Sequence, residues 1–525
     1  MMTTTSLTRG LALCATLNAL VLSTGCGAPE PAESHSHQNN ASTADMSETT
    51  PPSNTGTPTN NADMAEDTPP TGTSTTPDAK PRVLATRFDD TSRTQAVAFL
   101  TEQLDQAGYE VRQGELIFFE IEDCQYLDSC YGNNPASPYG LYALPAPDNI
   151  ETEGGLFIPA SDDPVMWRLR RDEAVLFFGR TPPESRYFGM TSYMFSREGK
   201  DIFASLNDSI NPLTINVDSD GSYEDSFDKD AVFIHTADNQ SYEDILKSLE
   251  VSGVSREIVT IDPLPYDIMH MGGEIAADIF GVLLRVALPE DREKLAEYRK
   301  KPPAFVLRIT PKQARETISP VTPVIPVSRS TDPAIEAHLE EELDKLEEAI
   351  RQAYPSMESS NPRTYPAPVY GRNCIDDEYR CFGDTADTSY MLNPALRKMG
   401  EDDMYVVIGV NHEATGNARY ASISIYDTQG FVGVNTITSV DMVGSIDRYM
   451  PEHPEREKLY AVVFARTCPQ ELLDAGHCVE VSTGFPGIPL DAHPVFLSRA
   501  YMEPGKTVGP RTIALVPPRI FKVSR

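Results

Sequence analysis

Two short loops with the same order of residue types limit how this chain can fold. Residues 124–133 and 374–384 each contain a close cysteine pair followed by an aromatic residue, a glycine and a small polar residue. Each loop precedes a strand-like run that contains Arg-Tyr (186–187 and 419–420), and a strand, a helix and a second strand follow. The repetition predicts an α+β fold. It would contain two diverged copies of a mainly antiparallel β unit with a strand-helix-strand insertion, in a pseudo-twofold arrangement.

Composition divides the chain of 525 residues into successive segments. Residues 1–25 are predicted to be a signal peptide and 26–80 a disordered tether. Repeat unit 1 spans 81–311, a connector rich in Pro, Val and Thr spans 312–331, and repeat unit 2 spans 332–525. Hydrophobic residues make up 40% and charged residues 23% of the chain, so both units can bury a core.

The charge of the chain restricts its partners. The formal net charge is -34 and the isoelectric point is near 4.6. A strongly negative field repels phosphate, so nucleic acid and anionic membrane surfaces are not expected partners.

The N-terminus predicts export. A short segment with one positive charge precedes an apolar run at 11–22, which is too short to span a bilayer. The small residues 23–25 followed by Cys26 resemble the lipobox of bacterial lipoproteins, although Ser23 stands where that pattern has leucine. The resemblance implies cleavage before Cys26, lipidation of its thiol and a membrane partner through the lipid anchor. With Gly27 after the cysteine, it also implies the outer membrane of the cell envelope. The alternative is a secreted or periplasmic protein.

The segment after Cys26 is predicted to be a flexible tether. Residues 27–78 are Ser, Thr, Pro, Asn, Ala and acidic residues, with no Lys or Arg before Lys80. Such a run cannot bury enough apolar surface to offset the entropy lost on ordering.

The remaining cysteines form three pairs that are close in sequence. Of 8 cysteines, Cys14 lies in the export segment and Cys26 in the lipobox-like segment. An oxidising compartment favours disulfides between the others, and the alternative is zinc, although the pairs lack the tight Cys-x-x-Cys spacing. The predicted pairs are Cys124/Cys130, Cys374/Cys381 and Cys468/Cys478.

Periodicity predicts two elements near the ends of the second unit. Leu339, Leu343, Leu346 and Ile350 recur at helical spacing, which predicts an amphipathic helix. The apolar run 512–516, which leads into two prolines, is predicted to be the last strand.

Alternation along the two Arg-Tyr strands places tyrosines and hydroxyl residues on one face of each. The interpretation favoured on structural grounds is cross-strand tyrosines half-buried beneath a loop. The functional hypothesis is a surface that binds a glycan or another small polar ligand. Its predicted residues are Tyr187, Thr191 and Tyr193 in the first strand, Tyr420, Ser424 and Tyr426 in the second, and Asn411 nearby.

A calcium-loop pattern lies downstream of the first Arg-Tyr strand. Asn216, Asp218, Asp220 and Glu224 supply alternating oxygen ligands around Gly221, but the closing bidentate acid is missing. Calcium is therefore the candidate cofactor. The favoured alternative is an Asp-Gly hairpin turn between strands.

Catalytic motifs are sparse. The chain contains no Gly-x-Ser-x-Gly elbow and no His-Glu-x-x-His motif. His412, which follows Asn411 at a strand end, is the candidate general base of a hydrolase, with Asp384 or Asp387 from the 381–387 loop as the acid. The preferred hypothesis is a non-catalytic ligand-binding or structural role in the cell envelope.

The proline-aromatic run 182–193 is similar to a strand in an uncharacterised bacterial domain family of β-sandwich type. The resemblance covers a small part of the chain and implies no particular activity.

Overall fold

The computed structural model describes residues 84–322, 326–329, 336–361, 365–366, 371–394 and 397–524. The predicted signal peptide, Cys26 and the tether lie outside the described residues. The part from Val83 to Arg525 forms one compact unit. It is a mixed α+β structure made mostly of sheet, as predicted.

Strands occur in two sequence groups, before and after the connector. In the first half they are β1 Tyr109–Phe119, β2 Tyr139–Ala143, β3 Ala174–Arg180, β4 Ser185–Arg197, β5 Lys200–Ser205, β6 Asp230–Thr236, β7 Val259–Pro263, β8 Ile279–Pro289 and β9 Ala304–Pro311. In the second half they are β10 Met357–Asn361, β11 Tyr365–Pro366, β12 Thr388–Pro394, β13 Asp403–Val410, β14 Tyr420–Asp427, β15 Val432–Thr438, β16 Leu459–Ala465, β17 Cys478–Glu480, β18 Val495–Tyr501 and β19 Arg519–Ser524.

The α-helices are fewer and lie between or before these strands. They are α1 Asp90–Gln106, α2 Asn239–Val251, α3 Arg292–Lys300, α4 Leu339–Ala353, α5 Gly371–Asp376, α6 Ser439–Met442 and α7 Gln470–Asp474. No helix among the described residues has both the length and the apolar composition needed to cross a membrane.

The strands form three sheets. The first half has a 9-stranded sheet with the order β5-β4-β8-β2-β1-β9-β3-β6-β7. The second half has two 5-stranded sheets, ordered β10-β19-β13-β16-β17 and β11-β12-β18-β14-β15. The paired strands are antiparallel, except β6 with β7 and β16 with β17, which are parallel and are joined through α2 and α7.

Strand β1 lies in the middle of the large sheet. It belongs to both five-stranded groups of that sheet, β5-β4-β8-β2-β1 and β1-β9-β3-β6-β7, and so joins them. Its first part, Tyr109 to Gly114, pairs with β9, and its second part, Glu115 to Phe119, pairs with β2. The change of partner occurs at Gly114, where an added Cβ would lie 2.2 Å from the carbonyl oxygen of Ala143. A glycine is required here because the two backbones approach so closely.

Helices cover one face of a sheet in each half. Leu100 of α1 and Ile245 of α2 pack with Leu176 of β3 in one core. The stripe Leu339, Leu343, Leu346 and Ile350 of α4 is fully buried against β13 and β16, which confirms the predicted amphipathic helix. Burial of these apolar faces is the main stabilising term of such layers.

The prediction for the last strand is wrong. Residues 512–514 form a 3-10 turn, and the strand is β19, which begins after Pro517-Pro518. The apolar residues of 512–516 resemble a strand in composition. Because proline has no amide hydrogen, the ladder with β13 begins only after the two prolines.

Each cysteine loop docks on a strand hairpin of the other half. The amides of Cys130 and Gly132 donate to the carbonyls of Gly430 and Phe431, between β14 and β15, at 2.7 and 3.0 Å. The amides of Cys381 and Gly383 donate to Ile202 and Phe203 of β5, both at 2.8 Å. The two halves are therefore tied together by the same pair of main-chain hydrogen bonds in both directions.

The glycine of each loop lies directly against an aromatic ring. Gly132 and Gly383 both have φ +72°, and an added Cβ would lie 2.4 Å from the ring of Phe431 or Phe203, respectively. The Cys-aromatic-Gly-polar pattern of the sequence is thus the contact surface between the halves.

Substitution Gly383→Ala should destabilise the protein by about 3 kcal/mol, because it adds a left-handed backbone penalty and a collision with the buried ring of Phe203. Gly221→Ala is the matched control, since Gly221 has φ +84° and no atom within 4 Å of its added Cβ. It should lose only about 1 kcal/mol. Denaturant unfolding compares the two variants, and equal losses would show that the contact with Phe203 contributes nothing.

Candidate binding site

The two cysteine loops meet over a cavity of about 60 Å³. We call it the loop cavity. Its lining includes Tyr131 of the first loop, Phe382 of the second, Phe203 of β5 and Leu283 of β8. It also includes one buried cation, Arg285 of β8. The loop cavity thus exists only because both halves contribute to it.

The walls of the loop cavity are held by aromatic packing. The ring of Tyr131 lies 5.9 Å from that of Phe195 and 5.4 Å from that of Phe203, and these two phenylalanines stack at 4.8 Å. Such pairs stabilise beyond the area that they bury. Burial raises the pKa of Tyr131 to about 12, so its hydroxyl is neutral at physiological pH.

Arg285 is the only arginine or lysine that lines the loop cavity among the described residues, and its side chain is incompletely paired. It is 3% exposed, and its Nη2 donates to the hydroxyl of Tyr193 at 2.7 Å. Its guanidinium carbon lies 5.5 Å and 5.2 Å from the ring centres of Tyr139 and Tyr193. Nε and Nη1 have no hydrogen-bond partner, and within the described residues no carboxylate forms an ion pair with it.

Arg499 of β18 occupies a similar environment, and its Nε and Nη1 also have no hydrogen-bond partner. Its Nη2 donates to the carbonyl of Gly132 at 2.9 Å, and its guanidinium lies between the rings of Tyr390 and Tyr426. It does not line the loop cavity. Both buried arginines therefore have a tyrosine cage and two unpartnered nitrogen atoms, but only Arg285 lines the loop cavity.

The predicted tyrosine faces lie inside the contact between the halves. Tyr187 and Tyr193 donate to the Asp387 carboxylate and the Asp384 carbonyl at 2.8 and 2.9 Å. Tyr426 donates to the carbonyl of Asn133 at 2.7 Å. The tyrosines are fully buried, so they hold the halves together instead of lining an open surface.

The other predicted ligand residues are also bonded within the protein. The hydroxyl of Tyr420 accepts from Asn134, Thr191 bonds Ser209, Ser424 bonds Thr436 and Asn411 donates to the carbonyl of Ser439. All of these predicted residues are buried. A glycan-binding role for them stays a prediction, and their burial gives it no support.

The predicted acids serve the docking of the second cysteine loop. Asp384 accepts hydrogen bonds from the amide and hydroxyl of Ser205, at 2.9 and 2.8 Å, and from the amide of Gly371 at 3.0 Å. Burial raises the pKa of Asp384. Asp387 accepts from the hydroxyls of Tyr187 and Thr385.

His412 lies in a separate buried network. Its Nδ1 is 2.9 Å from an oxygen of Glu336, which also accepts from Thr415, Asn417 and the amide of Val516 at 2.7 to 2.8 Å. No contact within the described residues joins His412 to Asp384 or Asp387. The hydrolase hypothesis stays a prediction, but these three side chains are not brought together.

The predicted calcium ligands are dispersed among other contacts. Asn216 donates to the carbonyl of Val259, Asp218 pairs with Arg87 at 2.8 Å, and Glu224 lies 3.4 Å from Arg419. Asp220 accepts from the amide of Ser222. The described part of the chain contains no group of three or more His, Cys, Asp or Glu that could hold a metal. The alternative of an Asp-Gly hairpin is wrong, because no strand flanks this turn.

The predicted disulfides are confirmed. Cys124–Cys130, Cys374–Cys381 and Cys468–Cys478 are bonded, with Cα–Cα distances of 5.2, 5.8 and 5.9 Å. The first two close the cysteine loops that dock between the halves. The bonds therefore limit the shapes of the segments that carry the interface.

Neither Glu336, which binds His412, nor Arg285, the buried cation of the loop cavity, was identified from the sequence. Glu336 precedes α4 and has no motif around it, so nothing in the sequence links it to His412. Arg285 was visible as a lone cation in an apolar strand. Such a residue requires a partner when buried, and this is the signal that could have identified it.

Comparison with known proteins adds little at the level of sequence. No protein-family model matches the chain, and no curated protein matches it. The solved VPA0106 protein from Vibrio parahaemolyticus is similar at 11% identity with a TM-score of 0.36, covering 83% of this chain and 100% of that one. A putative uncharacterized protein from Burkholderia cenocepacia has 12% identity and a TM-score of 0.36, covering 82% of this chain and 87% of that one. The chain thus has a faint similarity to uncharacterised bacterial proteins.

Substitution Glu336→Gln tests the buried pair with His412. Burial is the largest effect on the pKa of Glu336 and raises it, but the charge and hydrogen bond of His412 and the bonds from Asn417 and Thr415 together lower it. A lowered folded pKa adds stability above the unfolded value of about 4.3, and this stability is lost as pH falls through the folded pKa. The variant should lose about 3 kcal/mol at pH 7, and the loss should shrink below about pH 4.

Glu342→Gln provides the control at the surface. Glu342 pairs with His453 at 2.8 Å, and its side chain is 22% exposed. Its loss should be below about 1 kcal/mol. Urea unfolding at several pH values measures both variants, and similar losses at Glu336 and Glu342 would contradict a structural role for the buried pair.

Proposed function

We propose that this chain is an extracytoplasmic, membrane-tethered protein that binds a small molecule in the loop cavity and does not catalyse a reaction. The observation that carries the proposal is an apolar cavity that is built by both halves and is lined by a single buried cation, Arg285. Apolar pockets with a few polar groups are the usual form of small-molecule sites.

The disulfides and the N-terminal sequence support the proposed location. Three disulfides are consistent with an oxidising compartment outside the cytoplasm. The lipobox-like segment and the tether support a lipid anchor that holds the folded unit away from the membrane. The outer membrane remains the proposed location.

We further propose that the two halves are diverged copies of one unit. Support comes from strand order, because β1-β9-β3-β6-β7 and β10-β19-β13-β16-β17 correspond element by element, including the parallel last pair. The groups β1-β2-β8-β4-β5 and β11-β12-β18-β14-β15 correspond in the same way. The reciprocal docking of the cysteine loops is what a duplicated unit would produce around a pseudo-twofold axis.

A non-catalytic role is favoured because the candidate catalytic groups are hydrogen-bonded to other side chains of the protein. Glu336 binds His412, while Asp384 and Asp387 hold the second loop against Ser205 and Tyr187. A general base must reach the proton that it removes, and these side chains are buried and hydrogen-bonded to other groups of the protein.

A small-molecule screen by thermal shift on the full-length protein tests the proposal, with Leu156→Trp as the comparison. Leu156 lines the loop cavity and is partly exposed, so a larger side chain should fill the cavity without disturbing the core. A ligand of the cavity should stabilise the wild type, by about 2.7 kcal/mol at one hundred times Kd, and should not stabilise the variant. Compounds that stabilise both proteins equally, or none at all, would contradict the proposal.

A hydrolysis assay of the wild type and His412→Gln tests the alternative hydrolase function. We expect no turnover of ester or glycoside substrates by either protein. Wild-type hydrolysis that is lost in the variant would establish the alternative hydrolase function instead.

A further inference from the structure

We infer that the loop cavity binds the hydrocarbon end of a small straight-chain molecule and leaves the polar head of that molecule in solvent. The inference rests on the proposed binding function and specifies the chemical class of its ligand. It is carried by the bonded polar groups of the lining, by an apolar mouth with exposed aromatic residues beside it, and by the size of the loop cavity.

Three polar side chains of the lining are already bonded within the protein. Asn133 donates to the carbonyl of Gly433 and accepts from its amide, at 3.4 and 2.7 Å. The hydroxyl of Tyr139 accepts from the amide of Asn134 at 3.0 Å, and the hydroxyl of Tyr390 donates to a loop carbonyl at 3.5 Å. A polar ligand group that entered the cavity would lose its hydration and find these partners occupied.

Arg285 is part of the wall of the loop cavity. Its Nη2 donates to Tyr193 at 2.7 Å, while Nε and Nη1 have almost no accessible surface and cannot be reached by a ligand. The rings of Tyr139 and Tyr193 lie against its guanidinium, and the buried carboxylate of Asp384 interacts with it electrostatically. A ligand therefore needs no charge to occupy the loop cavity.

The remaining buried lining is apolar and favours hydrocarbon over water. It includes Met166, Phe195, Phe203 and Leu283. A water molecule in a cavity needs about two to four polar partners, so these side chains leave it with few hydrogen bonds. Burial of a hydrocarbon group in the same place raises affinity by about fourfold for each methylene.

The mouth of the loop cavity is apolar as well. Leu127, Leu156 and Phe382 line the cavity and are partly exposed, so they mark the side that is open to solvent. Tyr126 and Phe157, which adjoin the two leucines in the chain, are 74% and 47% exposed. Large exposed apolar groups beside a pocket are typical of a surface that contacts a ligand. A hydrocarbon chain can therefore pass through this mouth without crossing a polar rim.

The volume limits the enclosed part of the chain. A water needs about 10–15 Å³ of cavity measured with a probe of its own size, so the loop cavity of about 60 Å³ holds about four to six such volumes. This space corresponds to about four to six carbon atoms. A longer chain has to leave its remaining carbons at the mouth, where they are only partly buried. The enclosed group is therefore a butyl to hexyl segment.

Calorimetric titration of the full-length protein with 1-hexanol tests the inference, with 1,6-hexanediol as the matched control. The two probes have the same chain, but the diol has no apolar end to enclose. 1-Hexanol should bind at least about tenfold more tightly than the diol, because a hydroxyl inside the cavity lacks partners. Sodium hexanoate should bind no more tightly than 1-hexanol, because the head group stays outside.

Three results of this titration would overturn the inference. The first is no binding of 1-hexanol, and the second is equal binding of the alcohol and the diol. The third is a clear preference for hexanoate over 1-hexanol, which would show that the head group is bound instead of the chain.

Chain length tests the size of the enclosed segment. From 1-propanol to 1-hexanol, affinity should rise about fourfold for each added methylene. From 1-hexanol to 1-octanol, each carbon should add less than about twofold, because it lies at the mouth. An undiminished rise to 1-octanol would indicate nonspecific partitioning and contradict the inference.

Leu156→Trp and Leu490→Trp form the matched pair of variants. Both enlarge a leucine that is in contact with solvent, but only Leu156 lines the loop cavity, and Leu490 is 42% exposed. Affinity for 1-hexanol should fall at least about tenfold in Leu156→Trp and less than about twofold in Leu490→Trp. If Leu156→Trp does not fold, Leu127→Trp fills the mouth from the first cysteine loop and should cause the same loss. Unchanged binding in the folded variant would overturn the inference.

The failures of the two proposals are distinguishable. If a polar or charged compound stabilises the wild type but not Leu156→Trp, while no alkanol binds, the ligand class is wrong and the binding function stands. If no compound distinguishes the wild type from Leu156→Trp, both proposals fail.

Discussion

The reciprocal docking of the cysteine loops is the contact on which the rest of this structure depends. Each loop places two main-chain amides on a hairpin of the other half, and each buries its glycine against an aromatic ring there. The same contact covers the tyrosine faces of β4 and β14 and closes the walls of the loop cavity. A disulfide closes each loop, so the segments that carry the interface are constrained before they dock.

Much of the fold could be predicted from the sequence, because the features concerned depend on residues that are close together in the chain. Alternation placed the tyrosines of β4 and β14 on one face, the leucine stripe identified α4, and close cysteine pairs identified the disulfides. What covers the tyrosines could not be predicted, since the covering loops come from residues about 200 to 300 positions away. The last strand was misplaced because apolar composition does not show where a ladder can begin.

The candidate site shows a similar division. The cysteine loops were recognised in the sequence, but the cavity between them, with Arg285 in its lining, results from the packing of both halves. His412 looked like a general base because its partner Glu336 lies 76 positions earlier and carries no motif. His412 has a carboxylate partner in direct contact, whereas Arg285 bonds a tyrosine hydroxyl and forms no direct ion pair with a carboxylate among the described residues.

Native-state hydrogen exchange of the loop amides tests the central claim most directly. The amides of Cys130, Gly132, Cys381 and Gly383 all donate across the interface. If the docking holds the halves together, these amides should exchange only when the whole unit opens, with the same free energy as amides in the centre of β13. Exchange of the loop amides at a clearly lower free energy, while β13 remains protected, would contradict the account.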